Sequence, residues 1–453
     1  MKPRPLSEIA AAVGGVLHGH DAVASAVVID SRAASSGSLF IALPGEHVDG
    51  HDFVAEALAN GAVGAVVSRR NERHNVIEVE DTGQALLELA ADERRLMGHA
   101  RVVGVTGANG KTSTKDFTAA VLASRFRTHA SPQSFNTEIG LPLTLLGTPE
   151  GTEVVVAEMG ARRAGDVSLL CEVARPEMVV VTNVGVAHME MFGSWETIVE
   201  ASAEPVEALG DDGVAILCAD DRIVRGYAER TRARVITFGL SPDADVRAED
   251  MSLDEGGCAS FVLVAGRERE RVELAIPGEH MVQNALGAAA CGMAFGVTAA
   301  ECSAALKAAR ITHWRMETFV SSNGVRVVND AYNANPESTA AGLRAARWMA
   351  RDGRMAAVLG HMAELGPIAL AEHERLGELI VRMGVDRLVT VGAQAATIAH
   401  AALCEGALPD DVASYETVEE AVEDIRAWAR PGDVVLVKAS RVVGLERVAE
   451  ALR

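Results

Sequence analysis

A glycine-rich segment in the first third of the chain carries the residue types that bind phosphate groups. Residues 104–113 are predicted to join a buried strand to a helix. Glycines let backbone N–H groups turn toward a phosphate, and the helix N-terminus adds its dipole. Lys111 can reach the β- and γ-phosphates of a nucleotide, and the Thr112 hydroxyl suits Mg²⁺. The usual P-loop pattern has glycine where this chain has Val105, so this is a variant loop, the alternative being a glycine-rich turn with an incidental lysine. The predicted nucleotide-binding residues of the loop are Gly107, Ala108, Asn109, Gly110, Lys111, Thr112 and Ser113.

Two further polar residues follow predicted strands of the same sheet. Glu158 comes directly after the apolar strand 154–157, and His188 follows the strand 179–182 through a short loop. Ligands of doubly wound sheets bind beyond the carboxyl ends of the strands, so both side chains are expected at the edge that carries the phosphate loop. A carboxylate and an imidazole there can hold Mg²⁺ between ATP and an acceptor. The alternatives are a solvated acid for Glu158 and a loop histidine satisfied by other groups for His188.

The elements that must position these residues fall into three blocks of strands and helices. Residues 1–82 are predicted to form a small α/β domain. Residues 83–311 predict a central P-loop domain whose parallel sheet is covered by helices on both faces. Residues 312–453 predict a second doubly wound, Rossmann-like α/β domain, without the G-x-G-x-x-G fingerprint of a dinucleotide site. The predicted fold class is α/β with three domains.

The composition narrows the class of function. The formal net charge of −21 disfavours nucleic acids and anionic membranes as partners. The uncharged stretch 285–300 is rich in Ala and Gly and predicts a buried helix rather than a membrane span. Six scattered cysteines and an N-terminus without the apolar region of a signal peptide indicate a cytoplasmic protein without disulfides or zinc. Neither coiled-coil heptads nor a large apolar stripe indicates a dimer, so a monomer is predicted.

At these motifs the chain resembles the Mur ligase family, the ATP-dependent amide-forming enzymes of cell-wall precursor synthesis. Residues 106–112 match the ATP motif of that family, and residues 158–160 and 182–188 match its metal-binding segments. The resemblance extends in order over essentially the whole chain. It implies that Asn284, in residues 277–285, contacts adenine and that Arg315 reaches the phosphates from the third domain.

Other segments resemble the parts of the family that bind the remaining substrates. Residues 330–338, 360–366 and 438–441 are most similar to the members that add D-Ala-D-Ala. Residues 30–53 resemble a uridine-nucleotide domain, and residues 134–140 resemble a substrate-facing loop. Lys438 and Arg441 can pair with a substrate carboxylate, or they can be solvated surface bases. The resemblance implies Asp330 as a nucleotide-binding residue and Ser31, Arg32, Asn136, Thr137, Asn333, Asn335, Lys438 and Arg441 as substrate-binding residues.

One position departs from the family pattern. Most of these ligases carry a lysine, carbamylated by CO₂, further along the chain from the metal-binding histidine, and the corresponding residue here is Ser202. In a helix, Glu200 and Glu204 face away from position 202, so neither carboxylate is expected to replace the carbamate. We expect Ser202 to bind a water molecule instead.

The resemblance implies a reaction in two steps. The tripeptide carboxylate of UDP-N-acetylmuramoyl-tripeptide attacks the γ-phosphate of ATP, and the amine of D-Ala-D-Ala then displaces phosphate from the acyl phosphate. Lys111, Glu158 and His188 are the implied catalytic residues, with ATP and Mg²⁺ as cofactors and Thr112, Glu158 and His188 as metal ligands. Two alternatives remain: a sister ligase that adds a diamino acid or glutamylates folate, and a nucleotide-binding homologue without catalytic activity.

Overall fold

The computed structural model describes residues 1–45, 48–69 and 75–453, and its first domain carries a five-stranded sheet. Its elements are β1 (Arg4–Pro5), α1 (Leu6–Ala12), β2 (Val16–His18), β3 (Val23–Ala24), β4 (Ala26–Val28), β5 (Ser38–Ile41), α2 (Val54–Ala59), β6 (Gly64–Val67) and β7 (Val76–Glu78), and helix α3 (Thr82–Leu96) then leads into the central domain. The sheet has the order β2-β7-β6-β5-β4 and is parallel except for β2. Strands β1 and β3 form a separate antiparallel pair.

The central domain is built on a nine-stranded sheet of order β9-β10-β8-β11-β12-β13-β14-β15-β16. Its strands are β8 (Arg101–Thr106), β9 (Thr128–Ala130), β10 (Val154–Glu158), β11 (Met178–Val181), β12 (Val214–Cys218), β13 (Arg234–Gly239), β14 (Val246–Leu253), β15 (Cys258–Ala265) and β16 (Glu268–Pro277). Its helices are α4 (Lys111–Ala123), α5 (Gly140–Leu146), α6 (Asp166–Ala174), α7 (Met189–Phe192), α8 (Trp195–Glu207), α9 (Arg222–Gly226), α10 (His280–Ala294) and α11 (Ala299–Ala308). Strands β8, β10 and β11 are buried on both faces, which explains their continuous apolar sequence.

The C-terminal domain has a six-stranded sheet of order β17-β18-β22-β19-β20-β21 that is parallel except for β17. Its strands are β17 (Glu317–Val320), β18 (Arg326–Asn329), β19 (Met355–Gly360), β20 (Arg387–Val391), β21 (Val412–Tyr415) and β22 (Val434–Lys438). Its helices are α12 (Pro336–Ala350), α13 (Ala369–Arg382), α14 (Ala396–Glu405), α15 (Val418–Trp428) and α16 (Glu446–Ala451). Asn335 caps the N-terminus of α12 by accepting a hydrogen bond from the backbone N–H of Ser338, and Pro336 occupies the first helical position.

The three-domain α/β fold agrees with the prediction, while the exact domain limits near residues 82 and 311 stay predictions. The uncharged run 285–300 is not one helix, because α10 ends at Ala294 and the chain turns at Gly296 before α11. Within the described residues, no helix is both long and apolar enough to cross a membrane.

The central sheet determines where the functional residues meet. Strand β8 lies between β10 and β11, all three run parallel, and Val105 is opposite Glu158 while Thr106 is opposite Val181. The chain leaves the end of β8 toward one side of the sheet and later returns to the other side. Such a switch point opens a crevice beyond the carboxyl ends of the strands.

Candidate active site

The phosphate loop has the predicted strand-loop-helix geometry. Gly107 (φ 131°) and Gly110 (φ 81°) adopt backbone conformations that residues with a Cβ atom rarely adopt. A Cβ atom at Gly107 would lie 2.1 Å from Oγ1 of Thr182, and one at Gly110 would lie 2.3 Å from Oδ1 of Asn284. Both glycines are therefore required by backbone conformation and by close neighbours, while nucleotide binding by the loop stays a prediction.

The loop after β11 is hydrogen-bonded to the phosphate loop. The backbone N–H of Asn109 donates a hydrogen bond to Oδ1 of Asn183 (2.7 Å), and the backbone carbonyl of Asn109 accepts one from Oγ1 of Thr182 (2.7 Å). The backbone N–H of Ala108 donates to the carbonyl of Asn183 (2.9 Å). These contacts fix the loop before a nucleotide binds.

Lys111 lies at the start of α4 and folds over its own loop. Its Nζ donates to the carbonyl oxygens of Gly107 (2.7 Å) and Ala108 (3.2 Å). Burial lowers the pKa of Lys111, and the nearby carboxylate of Glu158 raises it in part. Thr112 and Ser113 follow on the first turn of α4, and both are buried.

Glu158 is the last residue of β10 rather than the first residue beyond it, and its side chain is buried. Its Oε1 accepts a hydrogen bond from Nδ2 of Asn136 (2.8 Å), whereas its Oε2 is buried without a hydrogen-bond partner among the described residues. A solvated surface acid is therefore excluded. An unpaired buried carboxylate oxygen beside a lysine is suited to a cation or to a polar group of a ligand.

His188 follows β11 and lies directly before α7, with a left-handed backbone (φ 60°). Its Nδ1 is hydrogen-bonded to the carboxylate of Glu364, which belongs to the C-terminal domain. This hydrogen bond lowers the pKa of Glu364, although desolvation opposes the shift. Within the described part of the chain, no group of three or more His, Cys, Asp or Glu side chains is arranged to hold a metal ion.

Arg315 and Asn335 extend from the C-terminal part of the chain to the phosphate loop. Nη2 of Arg315 donates to Oγ1 of Thr112 (3.0 Å) and to Oγ of Ser134 (3.3 Å), and its guanidinium stacks 4.1 Å from the ring centroid of Tyr332. Nδ2 of Asn335 donates to Oδ1 of Asn109 (2.7 Å). The structure therefore brings two separate predicted segments of the third domain onto the loop.

Asp330 and Lys438 form a buried ion pair. Lys438 is only 2% exposed, and its Nζ contacts the carboxylate of Asp330 and the backbone carbonyl of Asn333 (2.9 Å). The alternative of a solvated surface base is wrong for Lys438. Arg441 is half-exposed, pairs with Glu446 (2.7 Å) and stacks 4.2 Å from the ring centroid of Trp314. Arg441, unlike Lys438, is accessible to a substrate.

The remaining predicted substrate residues lie in two places. Ser31 is buried and donates a hydrogen bond to Glu56 (3.0 Å), while Arg32 is exposed and pairs with Asp30 (2.7 Å). Nδ2 of Asn136 donates a hydrogen bond to Glu158. Thr137 lies in the turn before α5, where its carbonyl accepts the backbone N–H of Leu141. Of these residues only Asn136 is in hydrogen-bond contact with the predicted metal residues.

Asn284 lies on α10, beside Gly110 of the phosphate loop. Next to it, a cavity of about 940 Å³ separates α10 from α12 and is lined by Gln283, Arg344 and Trp348 among others. Ligand pockets typically measure roughly 300–1,000 Å³, so this cavity has the size of a nucleoside site. His280 lines the same cavity, and burial lowers its pKa to about 4 although Asp330 opposes the shift.

Ser202 lies on α8, which is helical as expected. Its hydroxyl donates to the carbonyl oxygen of Ile198 (2.7 Å) and is thus used by the helix backbone. Glu200 pairs with Arg230 (2.7 Å), and Glu204 accepts the backbone N–H of Gly165 (2.6 Å) at the start of α6. Both acids point to other partners, as predicted, and neither replaces a carbamate at position 202.

The sequence interpretation missed three polar residues of the site. Ser134 joins Thr112 and Arg315, Asn183 braces the loop, and Glu364 contacts His188. All three lie inside segments with recognisable motifs. Only the contacts across the fold distinguish them from their neighbours.

Comparison with known proteins agrees with this architecture. Residues 24–94 match the Mur ligase family catalytic domain, residues 105–292 match the Mur ligase middle domain, and residues 314–441 match the Mur ligase glutamate ligase domain. A relative from Mycobacterium tuberculosis is 40% identical and covers 99% of this chain and 97% of its own length. The chain therefore belongs to the Mur ligase family.

The names of individual relatives are more specific than the family models. The Mycobacterium tuberculosis protein is named UDP-N-acetylmuramoyl-tripeptide–D-alanyl-D-alanine ligase. A crystal structure of MurF from Acinetobacter baumannii has a TM-score of 0.89 at 28% identity and covers 100% of this chain and 99% of its own. MurF ligase from Thermotoga maritima, solved in complex with ADP, has a TM-score of 0.82 at 30% identity and covers 94% of this chain and 96% of its own.

Proposed function

We propose that this chain joins D-Ala-D-Ala to the tripeptide carboxylate of UDP-N-acetylmuramoyl-tripeptide, with conversion of ATP to ADP and phosphate, in peptidoglycan precursor synthesis. The observation that carries the proposal is the meeting of Lys111 and Thr112 with Arg315 from the third domain, beside the buried Glu158. The names of the full-length relatives support the choice of substrates. Its predicted location is the cytoplasm and its predicted state a monomer.

The charges at the loop suit attack by a carboxylate on a γ-phosphate. The guanidinium charge of Arg315 lowers the pKa of Lys111 further. Two cations held this close repel each other until an anion lies between them, so the triphosphate and the charge of its transition state are stabilised there. The amine of D-Ala-D-Ala then attacks the acyl carbon and phosphate leaves.

Mg²⁺ fits the residues at this site. Glu158 supplies a buried oxygen without a partner, Thr112 supplies a hydroxyl next to the loop, and His188 has its Nδ1 occupied by Glu364 so that Nε2 remains for a ligand. When bound with ATP, the ion would neutralise part of the phosphate charge. Ser202 cannot carry a carbamate, so bicarbonate is not expected to affect the reaction.

The substrates are assigned to the crevices around this centre. Asn284 and the cavity between α10 and α12 would take the adenosine, and the first domain with Ser31 and Arg32 would take the uridine nucleotide. Asn333 and Arg441 are both accessible on the C-terminal domain and are proposed to contact the dipeptide. Asp330, Asn335 and Lys438 would act by holding the loop that presents Asn333.

The test is phosphate release from Mg-ATP and UDP-N-acetylmuramoyl-tripeptide, with and without D-Ala-D-Ala. Release is expected to need the dipeptide and to be unaffected by bicarbonate. Lys111→Met should reduce it roughly a hundredfold or more, as loss of a transition-state contact does. The control is Lys307→Met, because Lys307 is an exposed lysine paired with Glu273 (2.8 Å).

Other outcomes distinguish the alternatives. Release with a diamino acid or glutamate, but not with the dipeptide, would identify a sister ligase. ATP binding without release under any acceptor would identify an inactive homologue. Dipeptide-dependent release that rises with bicarbonate would contradict the assignment of a carbamate-free site at Ser202.

A further inference from the structure

Two loops from different domains meet at the predicted metal-binding histidine. His188 follows β11 of the central domain, and Glu364 follows β19 of the C-terminal domain. Both residues have a left-handed backbone, with φ of 60° for His188 and 62° for Glu364. This conformation is unfavourable for residues with a Cβ atom and is found mostly where the surrounding structure enforces it. Its occurrence on both sides of one contact indicates that the contact is specified by the fold.

The backbones of the two loops are also hydrogen-bonded to each other. The N–H of Glu190 donates to the carbonyl oxygen of Glu364 (3.1 Å). A Cβ atom at Gly366 would lie 2.9 Å from Cα of Glu190, so only glycine permits this approach. The carboxylate of Glu364 is thereby held against Nδ1 of His188. No hydrogen-bond partner occupies Nε2 of His188 among residues 1–45, 48–69 and 75–453.

We propose that Glu364 is a positioning residue, which holds the proton of neutral His188 on Nδ1 so that the Nε2 lone pair is available to Mg²⁺. Metal-binding histidines commonly donate their second N–H to a carboxylate, which sets the tautomer and the ring orientation. Because Glu364 belongs to the C-terminal domain, the histidine is oriented only when this domain is closed. The inference rests on the Mg²⁺ site of the proposed function and adds that domain closure completes it.

The alternative is that Glu364 only holds the two domains together. Another ion pair between the same two domains offers a control. Arg351 of the C-terminal domain pairs with Glu255 of the central domain (3.0 Å), and both side chains are largely exposed. Glu255→Gln breaks a contact between the same two domains without touching His188. If Glu364 only held the domains together, either substitution would weaken Mn²⁺ binding. If Glu364 positions His188, only the substitutions of Glu364 weaken it.

The experiment uses the full chain with ADP and measures Mn²⁺ binding by electron paramagnetic resonance. Glu364→Ala is expected to weaken Mn²⁺ binding about 10- to 100-fold, the usual cost of losing the partner of a metal-binding histidine. Glu364→Gln retains a carbonyl acceptor for the Nδ1–H group and should fall between Glu364→Ala and the parent protein. Glu255→Gln should bind Mn²⁺ as the parent does.

A second readout is the tautomer of His188 itself, measured by ¹⁵N NMR of histidine-labelled, metal-free protein and assigned with His188→Gln. The parent and Glu255→Gln should show the proton on Nδ1, and Glu364→Ala should lose this preference. Unchanged Mn²⁺ binding in Glu364→Ala, equal weakening by Glu255→Gln, or a proton on Nε2 in the parent would each overturn the proposal. Phosphate release is not part of these readouts, so the ligase assignment can fail while the role of Glu364 stands.

Discussion

The buried pair of Lys438 and Asp330 gives a prediction whose size follows from the structure. Lys438→Met removes the ammonium group from the carboxylate of Asp330, a residue that is only 9% exposed, and leaves the backbone N–H of Met316 (3.1 Å) as a remaining donor. Removing one partner of a buried ion pair typically costs about 3–5 kcal/mol, because the other charge stays buried and uncompensated. We therefore expect a loss of about that size in the free energy of unfolding of the C-terminal domain.

The double variant isolates the cause. Asp330→Asn together with Lys438→Met removes both charges, so it should lose less stability than Lys438→Met alone. Urea unfolding followed by tryptophan fluorescence suits this domain, because Trp314, Trp348 and Trp428 lie in it or directly before it and only Trp195 lies elsewhere. The exposed pair of Lys307 and Glu273 provides the control, since Lys307→Met should change stability by less than about 1 kcal/mol.

Two results would refute this reasoning. If Lys438→Met unfolds within about 1 kcal/mol of the parent, the pair does not carry a buried charge. If the double variant is less stable than Lys438→Met, the carboxylate of Asp330 is not the source of the loss.

Three further predictions concern the loop, the acid response and the thiols. Gly107→Ala should abolish binding of a fluorescent ADP analogue, because the added Cβ atom would meet Thr182, whereas Gly210→Ala has open space and should bind normally. The pKa of His280 falls to about 4 in the folded protein from 6.5, so the unfolded chain binds the extra proton between these values. Stability should therefore decrease as pH falls from about 6.5 to about 4, and His280→Gln should flatten urea unfolding midpoints across that window. Only Cys404 is exposed, while burial raises the pKa of the other five thiols, so one thiol should react rapidly with a thiol reagent at pH 8 and Cys404→Ser should abolish the fast phase.

Several parts of the site followed from the sequence because they depend on local structure. The phosphate loop needs glycine at positions 107 and 110 because of its backbone conformation, and glycines are recognised directly in the sequence. Continuous apolar strands predicted a sheet buried on both faces, and strand direction then placed Glu158 and His188 at the edge that carries the loop. The run 285–300 is a buried helix only as far as Ala294, because composition alone did not reveal the turn at Gly296.

Burial was predicted poorly for charged side chains. Lysine is usually exposed, so a solvated base was a reasonable interpretation of Lys438, yet this residue ends β22 beneath the loop before α12. Glu158 lies at the end of a strand, where an acid is commonly solvated, but its side chain is buried and accepts a hydrogen bond from the amide of Asn136. In both cases the covering residues come from distant parts of the chain.

The sequence by itself determined the chemistry available to this protein: a phosphate loop, a strand-end acid, a histidine and the order of three α/β domains. Only the tertiary structure decided which groups meet, since Arg315 contacts Thr112, Asn335 contacts Asn109 and Glu364 contacts His188 across separations of 203, 226 and 176 residues. Periodicity and turn preferences act over a few residues and fix each element. The contacts between domains depend on how whole surfaces pack together, and no local pattern in the sequence encodes that placement.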